Sequence, residues 1–280
     1  MSSGVSLYGF DAFSPGEIAE RVEQVGVAKA RLPLLTLVML GMLAGAFIGL
    51  GSLYYVIVVS DAALPHAVQR VLGGVVFSLG LLLVVVAGAE LFTGNNLIAL
   101  AWAEGKVATG ELAVNWLVVC AANFAGAVLL ASIVFLSGHA HDYASTYLEI
   151  AAAKTSLTFV QAFFSGVMCN VLVCMAVWMT LAGRSVVDKA VAIVLPISAF
   201  VAAGFEHSVA NMYFIPLGMM LQAAAAQPVE PLGLARNLVP VIAGNLVGGS
   251  VLVALVYFVI YRLPLRAATT LEPSRKASDG

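Results

Sequence analysis

The chain has 280 residues, of which 61% are hydrophobic and 10% charged, and its mean hydropathy is +1.01. A soluble domain carries about 25% charged residues, so too few remain here to cover a water-facing surface, and lipid is the expected solvent. The net charge of −2 leaves no basic face and argues against a nucleic-acid partner.

The first thirty residues are polar and charged, without the apolar core of a cleavable signal peptide. Within them, Ser14-Pro15-Gly16-Glu17 has the pattern of a capping box with proline at the first helical position. It predicts an amphipathic helix over 15–30, lying along the cytoplasmic face. A bilayer core about 30 Å thick needs about 20 apolar residues per helix. Six stretches meet that length: 34–59, 67–102, 112–136, 157–182, 187–224 and 237–261. The second and fifth run to about 36 and 38 residues, too long for one span, so each reads as a helix broken at its centre. Segment 138–154 joins two halves on the outer face, and its His139 and His141 read as solvated loop side chains, since no further metal ligands lie nearby. Cys120, Cys169 and Cys174 all fall in apolar runs and read as small core residues rather than disulfide partners. The tail after Arg266 is polar and reads as disordered. The expected organisation is a cytoplasmic segment over 1–33, a channel domain over 34–262 and a cytoplasmic tail over 263–280. The channel domain divides into repeats 34–137 and 155–262. Six spans put both ends on one side, and that side collects ten basic residues against three, so both termini are expected in the cytoplasm.

A glutamate stands in the middle of each overlong span. Gly88-Ala89-Glu90-Leu91-Phe92-Thr93-Gly94-Asn95 and Gly204-Phe205-Glu206-His207-Ser208-Val209-Ala210-Asn211 both read Gly-x-Glu-x4-Asn, 116 residues apart. Asn115-x7-Asn123-x2-Gly126 in the third span is matched by Asn237-x7-Asn245-x2-Gly248 in the sixth, 122 residues on. A weaker match sets Gly45-x3-Gly49 against Gly166-x3-Asn170. Three spans per half is an odd number, so the second half must enter the membrane inverted. The fold class is therefore an all-α polytopic membrane protein with an inverted 3+3 repeat and a pathway near the midplane. Glu90 and Glu206, with Asn95 and Asn211, read as loop-stabilising residues that accept hydrogen bonds from unwound backbone. A cation site is the alternative reading of the carboxylates. His207 is the one histidine within a span, where it can exchange a proton with an anion that enters the site. Phe77, Leu81, Leu91, Phe92 and Phe200 crowd the breaks and suggest a narrow apolar constriction. Thr93 offers a hydroxyl between them, and Lys154 is a lone positive charge that would concentrate anions at the outer mouth. The glycines read as helix-packing residues.

Phe77-Ser78-Leu79-Gly80-Leu81, Glu90-Leu91-Phe92-Thr93, the Gly204–Met212 run and Asn170-Val171-Leu172-Val173-Cys174-Met175-Ala176-Val177-Trp178-Met179 resemble signatures of the formate–nitrite transporter family. The resemblance covers about residues 15–262. It implies an aquaporin-like fold, a homopentamer in the plasma (inner) membrane with one pore per protomer, and no cofactor or enzymatic activity. It places Leu81 on a loop gating the cytoplasmic mouth, Phe77, Leu81 and Phe200 in an inner constriction, and Leu91 with Phe92 in an outer one. His207 and Thr93 lie between these as proton relay and selectivity site, with Lys154 and Asn170 in the outer vestibule. The implied cargo is a small weak-acid anion with its proton, formate first, then nitrite or hydrosulfide. Gly94 after Thr93 is closer to the nitrite branch, whereas formate channels commonly carry serine there. Phe77-Ser78-Leu79-Gly80-Leu81 and Ala176-Val177-Trp178-Met179 look more like the formate branch. A water or glycerol channel would carry two Asn-Pro-Ala motifs, and the chain has none.

Overall fold

The computed structural model describes residues 12–264, and among these it is helical with no strand. Helix α1 (Pro15–Ala30) begins where the capping box puts it: Ser14 Oγ accepts from the Glu17 N–H, and Glu17 accepts from the Ser14 N–H at 2.7 Å. The first half continues with α2 (Leu34–Val59), α3 (His66–Gly88), α4 (Phe92–Asn95), α5 (Ile98–Ala103) and α6 (Thr109–Leu136). Short helices α7 (His139–Asp142) and α8 (Ala144–Thr155) follow. The second half has α9 (Phe159–Thr180), α10 (Val186–Ala203), α11 (Ser208–Ala224) and α12 (Pro231–Arg262). Helices α2, α3, α6, α9, α10 and α12 are long and apolar enough to cross a membrane. An even number of crossings puts α1 and the end of α12 on one face, the terminal face, and α7 and α8 on the far face.

Both overlong segments break. Helix α3 ends at Gly88 with φ +86°, and α10 is closed by Gly204 with φ +78°, backbone values that a Cβ opposes. Three residues of non-helical chain follow each glycine before α4 and α11 begin. Leu81 is inside α3, not on a gating loop, because no helix breaker intervenes before Gly88. The connection after α6 is likewise helical rather than open. Tyr147 of α8 is fully buried and its hydroxyl lies 3.0 Å from that of Tyr213. His139 and His141 pack against Tyr143 and Phe135, with ring centroids 5.0 and 5.1 Å apart, rather than standing free in a loop. The tail expected to be disordered after Arg266 lies outside the described residues.

Small residues bring backbones together. A Cβ on Gly126 of α6 would strike the Met42 carbonyl of α2, and one on Gly248 of α12 would strike the Val167 carbonyl of α9. The outward side chains of the spans are apolar, Leu35, Leu117, Leu136 and Leu195 among them, which suits contact with hydrocarbon. Gly126→Val is expected to force α2 from α6 and to destabilise the protein by about 2 kcal/mol or more. Thermal unfolding of the detergent-solubilised variant checks this; an unfolding temperature equal to wild type would show that the close approach is dispensable.

Candidate functional site

Broken backbone inside an apolar medium must find partners within the protein. Asn123 of α6 supplies them for the first break: its Oδ1 accepts from the Phe92 N–H at 2.9 Å, and its Nδ2 donates to the carbonyls of Gly41 and Glu90 at 2.7 and 2.9 Å. Asn245 of α12 repeats the bonds at the second. Its Oδ1 accepts from the Ser208 N–H at 3.0 Å, and its Nδ2 donates to the carbonyls of Gly166 and Glu206 at 2.8 and 3.1 Å. The counterpart of Gly166 is thus Gly41, 125 residues earlier, and not Gly45 as the spacing suggests.

The glutamates do not accept from unwound backbone. Glu90 accepts from the Lys29 ammonium at 2.7 Å and from Asn95 Nδ2 at 2.7 Å, and Asn95 Nδ2 also donates to Asn115 Oδ1. Glu206 accepts from Lys154 at 2.9 Å and from Asn211 Nδ2 at 2.6 Å, and Asn211 Nδ2 also donates to Asn237 Oδ1. Asn115 and Asn237 close the two circuits by donating to the carbonyls of Lys29 and Lys154. Lys154 is therefore not a lone charge but half of an ion pair. Its counterpart Lys29 went unnoticed in the sequence, although it sits at the same offset of 125 as Gly41 and Gly166.

Two cavities approach each other from opposite faces. One, of about 360 Å³, is lined by Gly26 and Lys29 of α1 with Leu81, Glu90 and Leu91. The other, of about 610 Å³, is lined by Lys154, Glu206, His207, Phe77, Phe200 and Arg70. The constriction residues consequently sort differently from expectation. Phe77 and Phe200, whose rings meet edge to face at 5.7 Å, belong to the far-face cavity, and Leu81 with Leu91 to the terminal-face cavity. Phe77 lies a turn before Leu81 on a helix that starts at the far face, so it must sit nearer that face. Phe92 is buried and lines neither cavity. Asn170 is not in a vestibule: it is wholly buried and donates to Thr93 O, Asn96 Oδ1 and Asn245 O.

Between the cavities Thr93 Oγ1 lies 3.0 Å from His207 Nε2, both residues buried. The Phe200 ring stacks against the imidazole at 5.9 Å. His207 Nδ1 accepts from the Ala210 N–H at 3.1 Å and so caps α11. An acceptor nitrogen carries no proton, so in this arrangement the ring is neutral, with its proton on Nε2 toward Thr93. The hydroxyl of the neighbouring Ser208 is buried and has no partner among the described residues.

Residues 16–259 match the protein family described as Formate/nitrite transporter. The chain belongs to this family. It is 39% identical over 272 residues to "Formate channel FocA" of Escherichia coli (strain K12), covering 90% of this chain and 95% of that protein. It is 40% identical over 257 residues to "Uncharacterized transporter YrhG" of Bacillus subtilis (strain 168), covering 88% and 93%. Among solved structures it is similar to "Pentameric formate channel with formate bound", with a TM-score of 0.75, 37% identity and coverage of 81% and 97%. It is also similar to "FNT family ion channel", with a TM-score of 0.79, 28% identity and coverage of 87% and 98%. In this member of the formate/nitrite transporter family, Glu206→Ala would leave the Lys154 ammonium without its acceptor and take one of two acceptors from each of Asn211 and Asn237. That is expected to cost about 3–5 kcal/mol. Removing both charges together, with Lys154→Met and Glu206→Gln, should recover most of the loss. Thermal unfolding of the three variants tests it, and a double variant no more stable than Glu206→Ala would argue against the ion pair as the cause.

Proposed function

We propose that this chain is a formate channel of the cytoplasmic membrane, assembled as a homopentamer with one pore per protomer, that passes the acid in neutral form. The observation that carries this reading is the buried Thr93–His207 hydrogen bond, set between two cavities that each hold a lysine–glutamate pair. A bare anion crossing the apolar layer of Leu81, Leu91, Phe77 and Phe200 would lose its hydration without a fixed counter-charge. A carboxylic acid with a pKa of about 4 is almost wholly ionised at pH 7. Passage therefore calls for a proton at the constriction, and His207 is the titratable group there.

On this reading an anion enters from the far face, and its charge favours the imidazolium over the neutral ring. The incoming proton has to take Nδ1, because Nε2 already carries one; the Ala210 N–H then loses its acceptor. The imidazolium passes the proton from Nε2 to the anion, by way of the Thr93 hydroxyl or directly. The neutral acid crosses. The ring, left with its proton on Nδ1, takes a proton on Nε2 from water or from acid arriving from the other face. It then releases the one on Nδ1, which restores the resting tautomer and the bond from Ala210. The basic side of the chain, with α1, is the cytoplasmic side. Supporting the cargo are the formate channel relatives and the formate-bound pentamer, which resembles this chain at 37% identity. Nitrite, a small weak-acid anion of the same shape, is the second reading, favoured by Gly94 directly after Thr93.

In liposomes holding purified protein, wild type should carry formate with one proton per anion, seen as alkalinisation of the side it leaves. His207→Asn should lower that flux by about 100-fold, the scale of losing a general acid. Unchanged coupled flux in the variant would reduce His207 to the cap of α11. Chloride, which cannot be neutralised at this pH, should pass at least about tenfold more slowly than formate. Nitrite outrunning formate would move the cargo without altering the proton step.

A further inference from the structure

The polar circuits of the two halves differ at Asn237, which also donates to Glu206 Oε2 at 3.2 Å, and at the lysines. Lys29 donates both to Glu90 and to Asn95 Oδ1, whereas Lys154 donates to Glu206 and leaves Asn211 Oδ1 without a partner among the described residues. The far-face cavity also holds a second cation, Arg70, with no counterpart among the described residues that line the terminal-face cavity. Arg70 is half-buried, its Nε donates to the Ala202 carbonyl at 2.8 Å, and among the described residues it forms no ion pair. Ala202 O is one of the last carbonyls of α10, so the helix end fixes the stem of the guanidinium. Among the described residues the outer nitrogens have no hydrogen-bond partner. A Cβ on Gly204 would lie 2.6 Å from Nη2, so the glycine that breaks the helix also makes room for the fork.

We propose that Arg70 is a carboxylate-binding residue: its Nη1 and Nη2 hold the substrate anion in the far-face cavity before it reaches His207. The inference rests on the formate reading above. A guanidinium fork matches the two oxygens of a small carboxylate, while a lysine ammonium acts as a point charge. The anion would meet the fork first, then the spare donors of Lys154. Since no arginine among the described residues lines the terminal-face cavity, half-saturation should differ between the two faces.

The test measures formate flux against concentration in right-side-out and inside-out vesicles for wild type, Arg70→Lys and Arg70→Gln. The lysine variant keeps the charge and a donor for Ala202 O, so it separates binding from helix capping. From the far face, Arg70→Lys should raise the half-saturating concentration about three- to tenfold, and Arg70→Gln further, with maximal flux rising in step so that flux at low formate stays equal from the two faces, as a passive pathway requires. From the terminal face both variants should match wild type. Unchanged half-saturation with wild-type flux intact overturns the inference and leaves the channel reading standing. An equal change from both faces, or a loss of maximal flux with lowered unfolding temperature, assigns Arg70 to capping alone and overturns it too. Absence of formate flux in wild type overturns both readings.

Discussion

The structure depends on two asparagines that bracket broken helices. Each break exposes N–H and C=O groups at a depth where water is absent, and every such group left unpaired costs several kcal/mol. Asn123 and Asn245 each close three backbone bonds across a break, and they can reach only because glycines let α6 touch α2 and α12 touch α9. Close packing, the bracket and the break are thus one arrangement. With either asparagine gone, α4 and α11 would lose the anchors that aim their first residues at each other. Thr93 and His207 meet only because both anchors hold.

The lysine–glutamate pairs solve a related problem. A carboxylate in an apolar span is expensive unless paired and hydrogen-bonded, and Glu90 and Glu206 are both. Each pair also reaches outside its own span, to α1 on one face and α8 on the other, so helices that do not cross the membrane are fastened to those that do. On the terminal face a second cluster adds to the fastening. Arg262 binds Glu23 and Glu104 at 2.6 Å each, and Lys106 binds Glu23 at 2.7 Å. Helix α1 is consequently held at the cavity mouth rather than resting on a lipid surface.

What the sequence disclosed and what it concealed divide along a physical line. Periodicity, length and the Gly-x-Glu-x4-Asn repeat are local, and they located the six spans, both breaks and the asparagines that serve them. Partnerships across the fold are not local. Lys29 looked like one more cation of a surface helix, because nothing near it in the chain shows that its ammonium turns inward to Glu90. Asn170 was expected in the outer vestibule, whereas α9 carries it into the buried centre. The separation of Phe77 from Leu81 follows from chain direction alone, since α3 starts at the far face and reaches Phe77 first. The role of Arg70 was hidden because the carbonyl it binds belongs to Ala202, 132 residues away.

One atom joins the fold to the proposed chemistry. Nδ1 of His207 holds the first turn of α11 by accepting from Ala210, and on the proposed reading it is also where the second proton must go. The two uses exclude each other, since a protonated nitrogen cannot accept. An imidazolium therefore exists only while the start of α11 gives up a hydrogen bond, and the neutral ring is favoured whenever no anion is present to offset that loss. A permanently charged histidine is disfavoured by the same bond. This is the reason to prefer a proton that arrives with the anion over a standing positive charge in the pore. On the same proposed reading the resting state is tight, because the neutral ring, bonded to Thr93 and stacked on Phe200, stands between the two cavities.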